Sequence, residues 1–547
     1  MDTPRPAQST GRRWIAHLLL PLLTLALAAC ASLPSSQVQP AAGPIRIAGP
    51  RGPLSKRQAR KVLARLAAQV PDADSLERHL AIEQAITDSP LYTDNRVRVL
   101  RDGDETFPAI FAAIRAARSY VHLEYYIFED VVCDGTRLST LLLQKRREGV
   151  AVSIIYDGIG SLGTPASLFS ELEDAGVQVD EFNPPNPFKG DAPYSLNDRD
   201  HRKILIADGT LAIIGGINLS STYENGPGMS LSGSNASATA PAGAGPPTAA
   251  IPQSVDRQNW RDTDLEIEGP VVQQVDRLFH QHWLEQTGTP LVDPVPESTA
   301  AARPVVEMPA SAASGGTSPV TASPAGTTTD ITGTTAAPDV TTSTAAILPA
   351  GVRPAAIPAA VADGSGEVVR IIGSSPRRLA AHYYVTVLSA IRNAEHSIWV
   401  TAAYFVPTHE ELEDIKRAAR RGVDVRLLLP SNSDSTPALL VQRSLYAGLL
   451  KAGVRIYEHN DAILHSKTMV IDGVWSIVGS SNFDNRSVLF NDEVDAVVIG
   501  RSTGAQLQTL FEQDIAHARV ITTANLEHRS LGTRLKALFW RTWEQFL

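Results

Sequence analysis

Two short stretches carry residues suited to one chemical task. The first runs from His201 through Lys203 to Asp208, "HRKILIAD", and the second from His465 through Lys467 to Asp472, "HSKTMVID". On a strand, residues two apart share a face, so each His and Lys can act on one group together. Asn218 follows His201 at the same distance as Asn482 follows His465, in "IIGGINLSS" and "IVGSSNFDN". Doubling the set supplies two imidazoles, two ammonium groups and two carboxamides. That inventory suits a phosphodiester, whose negative charge builds on its oxygens during attack. Lys203 and Lys467 can offset the charge, and Asn218 and Asn482 can donate hydrogen bonds to it. One histidine can attack phosphorus, while the other protonates the departing alkoxide and then deprotonates the acceptor. The halves are too alike for the residues to say which histidine does which.

Asp262 in "DTDLEIEG" and Glu493 in "EVDAVVIG" form a further matched pair. A carboxylate on one ring nitrogen fixes the tautomer of a histidine and frees the other nitrogen. Asp208 and Asp472 count among the candidate catalytic residues as motif members. Each also precedes a glycine, so each can simply hold a turn. A zinc site is the rival reading for the histidines, but it needs three or four convergent ligands. A lysine stands between the possible ligands in both halves, so no metal and no cofactor is expected in the chemistry. The chain has no GxxxxGK[ST] loop for a nucleotide triphosphate. Cys133 reads as a structural thiol.

These residues need a scaffold that repeats as they do. "AAIRAARSYVHLEYYIF" parallels "SAIRNAEHSIWVTAAYFV", and "KRREGVAVSIIYD" parallels "AARRGVDVRLLLP". Each reads as a helix end, a glycine stop and a buried strand. Helices alternating with strands predict two similar α/β domains, each a mixed sheet flanked by helices. A pseudo-twofold relation between them would bring both motifs into one cleft. The first domain is expected over residues 90–295 and the second over 362–547. Residues 226–252 read as a mobile insertion and 296–361 as a disordered Ala/Thr/Pro-rich linker, because neither holds enough large apolar residues to offset the entropy of ordering. Residues 31–89 read as an N-terminal linker with a helical segment. Residues 1–30 read as a lipoprotein signal, with Arg12 and Arg13 ahead of an apolar run and Cys30 closing "LAAC" as the lipidated residue. The C-terminal "LGTRLKALFWRTWEQFL" gathers Leu531, Leu535, Leu538, Phe539, Trp543 and Phe546 on one helical face, which suits either a membrane interface or packing on the second domain.

The paired HxKxxxxD motifs resemble those of the phospholipase D superfamily. "LNDRDHRKILIADGTLAIIGG", "NWRDTDLEIEGPVVQQVDRLFHQHW" and "HSKTMVIDGVWSIVGSSNFDNRS" are similar to stretches of its bacterial cardiolipin synthases. The resemblance implies one composite site and a phosphohistidine intermediate, with His201 as nucleophile and His465 as acid and base. It implies a phosphatidyltransferase making cardiolipin from phosphatidylglycerol. Hydrolysis of phospholipids to phosphatidate is the alternative, and a phosphodiesterase or nuclease a more distant one. The net charge of −9 and the lack of a basic stripe speak against a nucleic-acid partner. The expected partners are phospholipids and a membrane surface, with no obligate protein partner. The expected location is the bacterial cell envelope, lipid-anchored and facing the periplasm, on the outer rather than the inner membrane.

Overall fold

A computed structural model describes residues 38–294 and 366–527, apart from 42, 71, 88, 187–196, 224–259 and 377–380, together with Leu33. Fourteen strands, numbered here in chain order, build two like sheets. In the first half they are β1 (Leu91–Arg101), β2 (Tyr120–Tyr125), β3 (Ala151–Asp157), β4 (Gln178–Phe182), β5 (Lys203–Ala207), β6 (Leu211–Gly215) and β7 (Thr263–Glu268). In the second half they are β8 (Glu367–Ser374), β9 (Ser397–Thr401), β10 (Asp424–Pro430), β11 (Arg455–His459), β12 (Thr468–Ile471), β13 (Trp475–Gly479) and β14 (Asn491–Ile499). The first sheet is ordered β1-β7-β6-β5-β2-β3-β4, antiparallel as far as β2 and parallel beyond it. The second is ordered β8-β14-β13-β12-β9-β10-β11 with the same directions. Two pseudo-symmetric α/β domains result, each a mixed sheet with flanking helices. Their sheets meet edge to edge, where β1 pairs antiparallel with β8.

Sequence explains the local geometry. Helix α1 (Leu138–Arg147) and helix α2 (His409–Arg420) both end in basic residues, which suit the negative end of the helix dipole. Gly149 and Gly422 follow at φ 90° and 97°, a left-handed turn that feeds the chain directly into β3 and β10. Thr408 opens α2 with a capping box to Glu411, and Leu412, Ile415 and Ala418 bury its apolar face.

Strand periodicity then divides the core. Leu205, Ala207 and Ile213 join the outer core of the first domain. Ile204, Ile206 and Ile214 point the other way and meet Val470, Val478, Val494 and Ala496 of the second domain. Helix α3 (Val272–Thr287) adds Val272, Val275, Phe279 and Trp283 to that shared layer. Each fully buried aliphatic side chain contributes roughly 1.5–3 kcal/mol, so the domains form one body rather than two tethered ones.

The helical segment ahead of the first domain is docked rather than linking. Val62, Leu66 and Leu80 enter the core of the second domain. Buried Glu83 accepts from Arg370 at 2.8 Å and from the Trp475 indole at 3.0 Å.

The expected envelope placement is corrected. No helix among the described residues is long and apolar enough to cross a membrane. Cys30 and the run before it, the 226–252 insertion, the 296–361 linker and the apolar C-terminal stretch from Leu531 lie outside the described residues.

Candidate active site

The two motifs enter the centre through reciprocal strand crossings. Arg199 and Asp200, just before His201, pair in parallel with Asn491 and Asp492, just before Glu493. Ile463 and Leu464, just before His465, pair in parallel with Trp260 and Arg261, just before Asp262. The His201 amide donates to the Asp492 carbonyl at 2.9 Å, and the His465 amide to the Arg261 carbonyl at 2.8 Å. Each histidine therefore meets the distal carboxylate of the other domain. His201 Nδ1 lies 3.0 Å from Glu493 Oε2, and His465 Nδ1 lies 2.7 Å from Asp262 Oδ2. With Nδ1 held, each Nε2 is the nitrogen left for chemistry. Asn491 Nδ2 and Ser480 Oγ donate to Glu493, and the Thr263 amide to Asp262.

Both lysines sit with the imidazoles. Lys467 Nζ is 2.9 Å from Nδ1 and 3.1 Å from Nε2 of His465, and Lys203 Nζ donates to the His201 carbonyl. Lys203 is 1% exposed and Lys467 5%. Among the described residues neither ammonium has a carboxylate within 4 Å, so two buried cations stand without a direct ion-pair partner. Burial pushes Lys203 down to about 7, and it lowers Lys467 as well. An anion placed between them would reverse that shift, since an opposite charge favours the ammonium form.

The carboxylates respond differently to the same burial. It pushes Glu493 up to about 7. Asp262 is held below the ordinary carboxylate range, because Lys467 and His465 outweigh its desolvation. Burial and the nearby lysines lower both imidazoles, His201 the further.

Such a centre, with two imidazoles, two lysines and two orienting carboxylates drawn from both halves, is equipped for phosphodiester chemistry. The comparisons point the same way. A family model described as "Cardiolipin synthase, PLD-like domain" matches residues 110–225 and 387–515, one copy in each half. Each matched segment carries one copy of the duplicated HxK motif, and the chain is similar to the phospholipase D superfamily through them. It is an enzyme fold related to bacterial cardiolipin synthases. The cardiolipin synthase of Geobacillus sp. (strain WCH70) is 29% identical over 471 residues, 85% of this chain and 75% of that protein. That of Halalkalibacterium halodurans is 29% identical over 446 residues, covering 81% and 71%. The phosphatidylserine synthase of Haemophilus influenzae Rd KW20 superposes with a TM-score of 0.53 at 11% identity, over 85% of this chain and 99% of its own, and shares the fold.

Not every motif residue of this phospholipase D-like chain reaches the centre. Asp208 and Asp472 lie beyond the far ends of β5 and β12. Asp208 accepts from the amides of Arg118, Ser119 and Tyr120 at 2.9, 2.7 and 3.0 Å. Asp472 accepts from those of Glu395, His396 and Ser397 at 3.0, 2.7 and 2.8 Å. Both carboxylates brace a turn and do not meet the imidazoles. Asn218 accepts from the Ile127 amide at 3.1 Å, and Asn482 is 3% exposed with its Oδ1 unpartnered. The glycine bends answer to close approach: a Cβ at Gly215 or Gly479 would stand 2.2 Å from the carboxylate of Asp264 or Asp495.

The site also holds residues that sequence reasoning missed. The Tyr223 hydroxyl is 3.1 Å from His465 Nδ1 and 3.3 Å from Asp262, and the Trp260 ring lies 4.9 Å from that of His465. Arg202, on the opposite face of its strand from Lys203, reaches Glu124 at 3.0 Å and Asp492 at 3.5 Å. The repeated alignment gave no signal for these, since Ser466 replaces Arg202 in the second motif.

Proposed function

We propose that this protein is a phosphatidyltransferase that joins phosphatidylglycerol to a second lipid hydroxyl through a phosphohistidine, giving cardiolipin. The observation that carries the reading is the pair of buried lysines without a carboxylate within 4 Å among the described residues, set beside two oriented imidazoles. A phosphodiester anion supplies the missing charge. His201 Nε2 attacks phosphorus, and a P–N bond forms as the P–O bond to glycerol breaks. His465 gives its Nε2 proton to the departing alkoxide. The acceptor hydroxyl then loses its proton to His465 as its oxygen takes the phosphatidyl group and the P–N bond breaks. Lys203, Lys467, Asn218 and Asn482 hold the phosphoryl oxygens, and Asp262 and Glu493 orient the rings.

The division of roles has an electrostatic basis. An ionised Asp262 stabilises the His465 imidazolium, as an acid requires. Glu493, half protonated near neutrality, leaves His201 a neutral nucleophile. A cleft of about 600 Å³ includes Tyr223 and Trp260 in its wall, and both residues also touch His465.

The test is incubation of pure protein with headgroup- and acyl-labelled phosphatidylglycerol in mixed micelles. Cardiolipin with stoichiometric glycerol is the expected result. Phosphatidate alone would make the protein a hydrolase, and an unchanged lipid pool would overturn the reading.

A further inference from the structure

Away from the catalytic centre, four side chains converge against one face of the first sheet. His122 lies on β2, Asp276 and His280 lie one turn apart on α3, and Asp293 follows the end of that helix. Each offers a ligand atom, and these atoms all lie within 4.8 Å of one another.

The arrangement is directional. His122 Nδ1 meets the Asp276 carboxylate at 3.2 Å, and His280 Nδ1 meets the Asp276 carbonyl at 2.8 Å. Both rings thus have Nδ1 on an acceptor supplied by one residue, which fixes the tautomer and turns Nε2 the other way. Both Nε2 atoms converge on Asp293, at 3.0 Å for His122 and 2.9 Å for His280. Metal-ligating histidines recur in this form, with the remote ring nitrogen on a carboxylate or backbone carbonyl. The rings stand 5.2 Å apart at 79°. His122 is fully buried and stacked on Phe279 at 4.4 Å, and the Tyr120 hydroxyl donates to Asp276 at 3.0 Å. Tetrahedral zinc, with bonds of about 2.0–2.2 Å, sets its ligand atoms roughly 3.3 Å apart. The two histidine–Asp293 pairs, at 3.0 and 2.9 Å, need to open by only a few tenths of an ångström to admit it. The other acid–histidine group, Glu124, Asp200 and His282, is already served by the Arg202 guanidinium and suits an ion less well.

We propose that His122 Nε2, His280 Nε2 and Asp293 bind a divalent transition metal of the zinc class, with water or the second Asp293 oxygen completing the shell and Asp276 as the positioning residue. The role is structural. The metal ties the chain beyond Gly288, the left-handed cap of α3, back to β2, which pairs with the motif strand β5. The proposal does not depend on the transferase reading.

The experiment uses the full-length protein, stripped with a chelator, reloaded with zinc chloride and passed through a desalting column. About one zinc per chain should be retained, and the thermal midpoint should rise by several degrees. His280→Gln and Asp293→Asn, both at partly exposed positions, should each lose the retained zinc and the zinc-dependent shift while keeping the far-ultraviolet circular dichroism of wild type. Asp276→Asn should weaken binding by about 10–100-fold. A double His201→Ala, His465→Ala variant should retain zinc fully. Failure of folded wild type to retain zinc would overturn the proposal. So would retention unchanged in both His280→Gln and Asp293→Asn, or loss of zinc in the catalytic double variant.

Discussion

His201 meets Glu493 at 3.0 Å and His465 meets Asp262 at 2.7 Å, each across the domain boundary. Yet burial pushes Glu493 up to about 7, whereas at Asp262 it is outweighed by Lys467 and His465. Duplication therefore copied the geometry without copying the charge. Around His465 stand Lys467, close to both ring nitrogens, and Tyr223, which reaches Nδ1 from the first half, and the first half puts Arg202 where the second has Ser466. A pair of identical halves would have two interchangeable histidines. Unequal carboxylates make one imidazole easier to charge than the other, and under the proposed two-step transfer that difference gives the acid role to His465.

The sharpest way to break the comparison is to remove each histidine in turn. His201→Ala should lose turnover by about 10⁴-fold or more and form no covalent adduct. His465→Ala should lose natural-substrate turnover comparably. With a nitrophenyl phosphodiester, whose leaving group needs no proton, it should still form the adduct and then stall. Trapping in alkaline denaturant followed by mass spectrometry reads this out, because acid destroys a phosphoramidate. An adduct on His465 with His201 unmodified would reverse the roles.

The carboxylates test the same difference at smaller scale. Asp262→Asn removes the charge behind the acid and should slow the natural substrate by about 10²–10³-fold, yet slow adduct formation from the activated substrate far less. Glu493→Gln keeps a hydrogen-bonding group on Nδ1 and replaces a carboxyl already half neutral, so its loss should be about tenfold or less. Equal losses for the two, on both substrates, would remove the electrostatic asymmetry from the mechanism.

Much of this centre was legible in the sequence. Period-two alternation put His201 and Lys203 on one face, and equal His-to-Asn spacing matched the halves strand for strand. Asp262 and Glu493 were legible as partners for histidine, but not the exchange between domains. That exchange depends on Arg199–Asp200 pairing with Asn491–Asp492, a contact across nearly three hundred residues that no local pattern encodes. Tyr223 and Arg202 escaped for a related reason. A tyrosine beside an insertion and an arginine on a strand's other face carry no periodic signal. His122 and Asp293 are brought together only by sheet and helix packing. The segment over 31–89 read as a linker with a helical segment, and its docking was not legible because its charged helices mask the few residues, Leu66 and Leu80 among them, that enter the second core.

Acidity offers a milder test. Lys203 sits at about 7 in the free site, so its charge is lost as pH rises through 7. Glu493, also at about 7, becomes neutral as pH falls through the same range. The kcat/KM profile should therefore fall steeply above about 7, as the Lys203 charge is lost, and by no more than about tenfold below it, as Glu493 is neutralised. Glu493→Gln should flatten its acidic limb and spare the basic one. The kcat profile should extend further to the basic side, because bound phosphodiester raises the lysine. A kcat/KM profile flat from pH 5 to 9 would contradict the shifts in both halves.

The smallest effect on catalysis should come from the motif residues that the two halves share most closely. Asp208 and Asp472 each accept from three consecutive amides and adopt φ of 51° and 52°. Their work is to bind the turn after the motif strand to the start of β2 or β9. Loss of a charged acceptor serving backbone amides costs about 1–3 kcal/mol. Asp208→Ala and Asp472→Ala should each lower stability by that order in chemical denaturation, with kcat near wild type at a temperature where both variants are folded. Asparagine tolerates the left-handed conformation and keeps one acceptor oxygen, so Asp208→Asn should recover part of the lost stability. A collapse of kcat in Asp208→Asn with unchanged stability would show that this carboxylate reaches the chemistry, and the two ends of the motif strand would then have to be treated as one site.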